Sequence, residues 1–261
     1  MQTGTILLDK QIHAQKLAPK RSKMKRTITI LALLIGIIAV ANAVSIYEIQ
    51  YTNNPGVDNS YPSPYVGKDV TLEGIVTGTD HSLGGYFISE SISGPWRGIF
   101  ISDKRNRPAV GDKIMLRGKV HEHFGMTCLK DISSFRTVTR NYGTPQPLLL
   151  TTGQLSRSDE AEAYEGVYVR LIGASVSSAK SKGGRFFVTD GSGPCAVLSG
   201  SFANGKKASP ATGTQFSNIV GIVVYSFSEF SLNPIGSADM QLQQPVSTQN
   251  RSWGRIKSIY K

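Results

Sequence analysis

Apolar and polar residues alternate in two well-separated segments. In VTLEGIV (70–76), Val70, Leu72 and Val76 face one way while Thr71 and Glu73 face the other. In IMLRGKV (114–120), Ile114, Leu116 and Val120 are set against Arg117 and Lys119. A period of two predicts strands with one buried face. Residues 86–89 and 98–102 are short β-rich runs between them, and 125–132 reads as a fifth strand. Gly74, Gly118 and Gly173 lie inside such runs, where a missing side chain permits a bulge or sharp coiling. The convincing helical pattern is LSRSDEAEAY (155–164), with Ser158 as its cap and Asp159 and Glu160 in its first turn. Its acidic cluster is expected to be a solvated helix face.

The pattern occurs twice. YVGKDVTLEGIVTG (65–78) is echoed by YEGVYVRLIGASVS (164–177), GGYFISES (84–91) by GGRFFVTD (183–190), and PAVGDKIMLRGKV (108–120) by PATGTQFSNIVGIVV (210–224). Blocks that match in the same order indicate tandem copies of one unit. With five short coiled strands per copy, the expectation is an all-β chain of two tandem small five-stranded barrels, at 44–143 and 148–242, joined by the turn-rich NYGTPQP (141–147). A β-sandwich needs more strands than each copy offers.

Residues 24–43 have a basic start, an apolar run and an Ala41-Asn42-Ala43 ending, the pattern of a cleaved signal peptide. Residues 1–43 are therefore set aside as signal and upstream extension, and the product is expected to be exported: extracellular, on the cell surface or periplasmic. The segment removes seven Lys/Arg and one Asp, leaving 22 basic and 17 acidic side chains. Residues 44–143 contribute a net +1 and residues 144–245 none, so no strongly cationic body argues for a polyanionic partner.

The series IYEIQYT (46–52), SPYVGKDVTLEGIVTG (63–78), GGYFISES (84–91), WRGIFISD (96–103), PAVGDKIMLRGKV (108–120) and EAYEGVYVRL (162–171) resembles the OB-fold-type domains that accompany secreted bacterial nucleases. The resemblance covers essentially all of residues 46–240. In that family such domains precede or flank a separate catalytic domain, which has no counterpart in this sequence. The resemblance implies an accessory binding role, with nucleic acid as the favoured ligand, and does not imply catalysis.

The residues agree with a non-catalytic reading. His121-Glu-His123 could turn two imidazoles to one side of a strand, with His81 as a third ligand, but two polar residues at a strand end explain the motif as well. No convergent set of acid, base and nucleophile can be assembled, and no cofactor or metal is expected. OB barrels hold single strands across their second and third strands, on aromatics flanked by Lys or Arg. Copy one supplies Tyr86, Trp96 and Arg97, the loop cations Lys104, Arg105 and Arg107, and Arg117 and Lys119 outside a strand. Copy two offers Arg185, Phe187, Lys180, Lys182, Lys206 and Lys207, but Cys195 falls opposite Trp96 in the repeat. Cys128 and Cys195 can form one disulfide between the copies after export, or remain two buried thiols. Past a polar linker, residues 243–261 end in SWGRIKSIYK, where Trp253, Ile256 and Tyr260 make an apolar stripe beside Lys257. This tail suits a sorting or docking role with an export or envelope partner. Two functions compete: single-stranded nucleic-acid binding that assists a nuclease, or a surface adaptor for protein or glycan.

Overall fold

The computed structural model describes residues 43–57, 60–179, 183–226 and 228–244. The expected signal peptide, Lys180, Lys182 and the tail residues Trp253, Ile256, Lys257 and Tyr260 lie outside them. The first element is a short helix that the periodicity did not predict, α1 (Ile46–Gln50). Ser45 and Glu48 form its capping box, and it buries Ile46 and Ile49 in the core of the first barrel.

Strands β1 (Asp69–His81), β2 (Gly85–Ser89), β3 (Gly98–Ile101), β4 (Lys113–His123) and β5 (Met126–Thr139) close into a barrel in the order β1-β2-β3-β5-β4. This is an OB-like barrel, and the inward sets are those the alternation predicted. Val70, Leu72, Val76, Ile114, Leu116 and Val120 all lie in its core. Gly74 pairs in register with Ile114, while the irregularities of β1 fall after Val76.

The second copy differs from its expectation. After β6 (Leu148–Leu149) come two short helices, α2 (Thr152–Ser156) and α3 (Ser158–Ala161), then a 3-10 turn over Glu162–Tyr164. The single helix expected over 155–164 therefore starts earlier, at the Thr151 capping box, and breaks at Arg157, whose backbone is extended. Strands β7 (Tyr168–Ile172), β8 (Ser175–Ser178), β9 (Arg185–Thr189), β10 (Cys195–Leu198), β11 (Phe216–Ser226), β12 (Glu229–Asn233) and β13 (Met240–Leu242) follow. The sheet is an open path, β6-β7-β11-β12-β10-β9-β8, with β13 on β11. A second closed barrel is not what forms. The segment matching β1 divides at Gly173, whose φ of +66° turns the chain, so β7 pairs with β11 while β8 pairs with β9.

Both sheets have their own cores, and a third apolar cluster joins them. Phe87, Phe100, Met126 and Cys128 of the barrel pack there against Phe202, Ile222 and Val224 of the second sheet. The Ser82 amide donates to the Ser201 carbonyl (2.8 Å), and the Ala203 amide to the Asp80 carbonyl (3.1 Å), along the same seam.

Candidate functional site

The outward side of β2 and β3, where the stacking platform was expected, is covered. Tyr86, Ile88, Ile99 and Ile101 point into the barrel, and the alternate residues Phe87 and Phe100 are 0% and 1% exposed under the second sheet. Tyr86 is a core residue. Its hydroxyl reaches Asp103 at 3.5 Å, and burial holds its ionisation well above the ordinary range, with the Asp103 charge adding to the effect. Because the two apolar faces of β2 and β3 are both spent on packing, the expectation of base stacking across these strands is corrected.

The remaining expected residues do not form one patch. Trp96 and Arg97 lie on the loop before β3, and Lys104, Arg105 and Arg107 follow its other end. Four strand residues, about 13 Å, separate the two groups. Trp96 has φ +65°, an outlier for a bulky side chain, and its amide donates to the Ala163 carbonyl at 2.5 Å. Its ring meets that of Tyr51 edge-on at 5.7 Å, and Tyr51 stacks on Tyr47 at 5.3 Å. The Arg97 guanidinium lies 5.3 Å from the Tyr47 ring centre and is ion-paired with Glu90. Tyr47 and Tyr51, carried by α1 and its C-cap, went unrecognised because the helix itself did.

In strand register Val188 pairs with Cys195 as Ser89, its counterpart in the repeated motif, pairs with Gly98. Cys195 thus lines up with Gly98, two residues past Trp96. Cys128 and Cys195 are buried free thiols in different apolar clusters, the second of the two alternatives the sequence left open. Burial first, then neighbouring carboxylates, pushes each thiol up to about 12. His81 is 5% exposed among Phe87, Phe100 and Phe202, and burial depresses it to about 4, with Asn233 partly offsetting. Among the described residues no group of three His, Cys, Asp or Glu side chains could hold a metal ion.

What the structure does bring together is charge. Residues 103–140, comprising the loop after β3 and the β4–β5 hairpin, carry nine Lys/Arg against four Asp/Glu. Of those four acids only Asp131 is exposed. Asp103 is turned inward, accepting from the Arg105 amide (2.9 Å) and the Asn106 side chain (2.7 Å). Asp112 likewise accepts from the amides of Ala109 and Asn141. Opposed residues of an antiparallel pair share a face. Lys119 stands opposite Lys130, Arg117 opposite Ser134 and Met115 opposite Arg136, so these cations lie on one outer face. Arg105 donates to the Ile132 carbonyl, and the Ser133 hydroxyl donates to the Arg117 carbonyl, linking the loop to the strand. Lys104, Arg107, Arg117, Lys119, Lys130, Arg136 and Arg140 have no ion-pair partner among the described residues. The corresponding β11–β12 hairpin has no Lys or Arg in its sequence. In the second copy Arg185 pairs with Glu229 beside a half-buried Phe187, and Lys206 and Lys207 are exposed on a loop.

No family model and no curated protein matches the chain. Among solved structures, the hypothetical protein ygiW from E. coli aligns at 18% identity over 28% of this chain and 77% of its own, with a TM-score of 0.23. A murine DNA binding protein bound with ds DNA aligns at 12% identity over 66% of this chain and 97% of its own, with a TM-score of 0.29. A third structure, described as "Structural mimicry for functional antagonism", aligns at 11% identity over 69% of this chain and 93% of its own, with a TM-score of 0.27. Superpositions this partial carry no function over to the chain.

Proposed function

We propose that this chain is a non-catalytic exported binding protein that holds single-stranded nucleic acid by its phosphates on the outer face of β4 and β5, in company with a nuclease made elsewhere. The observation that carries the reading is the one-sided concentration of cations there. Lys119 stands opposite Lys130 on β5 and opposite Asp69 on β1, so one cationic neighbour is offset by an acid, while Arg117 stands between the neutral Ser134 and Thr71. Arg117 and Lys119, two residues apart on β4, stand about 6.6 Å from one another, a step that an extended sugar–phosphate backbone can follow. The near-neutral average of residues 44–143 hid this face, because residues 44–102 hold six acids and two cations.

The test is the salt dependence of binding to a single-stranded oligonucleotide. Wild-type affinity should fall steeply with salt. Arg117→Glu/Lys119→Glu should both weaken binding and flatten the log–log slope by about 1.4, as two fewer phosphates are neutralised. Unchanged affinity in the double variant sinks the reading.

One observation favours the adaptor alternative, a surface protein holding protein or glycan. The Tyr47–Tyr51–Trp96 cluster is aromatic, Tyr51 is 46% exposed, and the cation beside it, Arg97, is already neutralised by Glu90. Binding to glycan or protein that persists at high salt and is lost in Trp96→Ala would select it. The tail around Trp253, Ile256, Lys257 and Tyr260 belongs to either reading as a docking segment for an export or envelope partner.

A further inference from the structure

We propose that the groove between the β4–β5 turn of the barrel and the β11–β12 turn of the second sheet receives an unstacked base of the bound strand. This rests on the reading of β4 as a phosphate track. Arg117, Lys119, His121 and His123 are spaced two apart on β4 and therefore share a face, which runs off the basic patch towards Phe124. Phe124 is 85% exposed and held at φ +53°, an unfavourable backbone for a bulky residue, and its ring meets that of His123 at 4.7 Å. Neither exposure nor strain contributes to the packing of the barrel.

The groove beside it has a volume of about 660 Å³, within the range of small-ligand sites. Leu83 of the β1–β2 turn forms another wall, and Tyr225 of β11 stands opposite. Gly125 lets Tyr225 approach, since a side-chain carbon there would lie 2.7 Å from its ring. Ring faces with the hydroxyls of Ser226 and Ser228 at the edge, and no Lys, Arg, Asp or Glu among the described lining residues, suit a flat, polar-edged base rather than a phosphate. The pocket needs both sheets, because Tyr225 comes from the second.

The experiment uses the full chain with three probes: a labelled single-stranded oligonucleotide, the same strand with abasic sites, and the matching duplex. Phe124→Ala should bind the intact single strand about tenfold more weakly, with an unchanged salt slope, and should bind the abasic strand and the duplex as wild type does. Because Phe124 is exposed, its loss should leave the melting temperature unchanged. Wild-type affinity of Phe124→Ala for the intact strand, with Arg117→Glu/Lys119→Glu still weakened, overturns the base pocket and leaves the phosphate track standing. Wild-type affinity in both variants overturns the two together.

Discussion

A Phe202→Ala chain is expected to melt roughly 10 °C or more below wild type, from a loss of about 3–5 kcal/mol. Phe202 is 2% exposed and sits in the cluster that joins the two sheets. Its ring lies 4.7 Å from that of His81 and 6.0 Å from that of Phe87. The site cannot collapse readily, because Phe87 and Phe100 are held in paired strands of the closed barrel. The same substitution loosens the cover over these two phenylalanines, so the variant should also gain binding of a hydrophobic dye. Thermal melts and dye titration check the pair of effects. An unchanged melting temperature would show that the seam contributes little and that the sheets behave as separate units.

Raising the pH from 6.5 to about 8 is expected to destabilise the protein, and Glu162→Gln/Glu165→Gln to remove most of that loss. Thr127 ties the barrel to the second copy at this point: its amide donates to Glu165 (2.9 Å) and its hydroxyl to Glu122 (2.8 Å). The other carboxyl oxygen of each of these glutamates is buried without a hydrogen-bond partner, and Glu162 is 6% exposed nearby. None of the three pairs with a Lys or Arg among the described residues. Burial, followed by the Glu122 charge, pushes Glu162 up to about 8, and burial with the charges of Glu162 and Glu122 raises Glu165 well above the ordinary carboxylate range.

The folded chain therefore keeps protons that the unfolded chain has released. The stability this contributes is whole below the ordinary value of 4.5 and is lost as pH rises towards 8. His81 works in the opposite sense, depressed from 6.5 to about 4, so its contribution is lost as pH falls below 6.5 and is constant above. Asp190, held at about 2 by hydrogen bonds from Ser192 and Thr152 that outweigh burial, also stays ionised throughout. That leaves the interval from 6.5 to about 8 to the glutamates. Melting curves across the interval decide it. If the double variant and the wild type fall in parallel, the glutamates are not the cause.

Legibility along the chain followed the range of the signal. Strands β1 to β5 were readable because the period of two is written in neighbours, and Val70, Leu72, Ile114 and Leu116 each needed only their own segment to declare a side. The helix α1 was missed because five residues are too few for a helical period, although the Ser45–Glu48 capping box marked its start. The cations Lys104, Arg105, Arg107, Arg117 and Lys119 of the candidate face are each visible in their own segment. Their union with Lys130 and Arg136 is not, since that depends on the pairing of β4 with β5.

Phe87 and Phe187 mark the division most clearly. Both belong to the repeated motif, Phe87 at its fourth position and Phe187 at its fifth, and each is turned away from the core of its own sheet. In the structure Phe87 is sealed beneath Phe202, while Phe187 is half-buried beside Arg185. Glu162 shows the same limit from the polar side, reading as part of a solvated acidic face and lying buried instead, close to Glu165 and Glu122. By itself the sequence determined the strands of the first barrel and their inward faces. Only the tertiary structure decided which outward face is covered, whether each copy closes, and where the charge gathers. Periodicity tells a residue which side of its strand it is on; what lies on that side is set by segments far away in the chain.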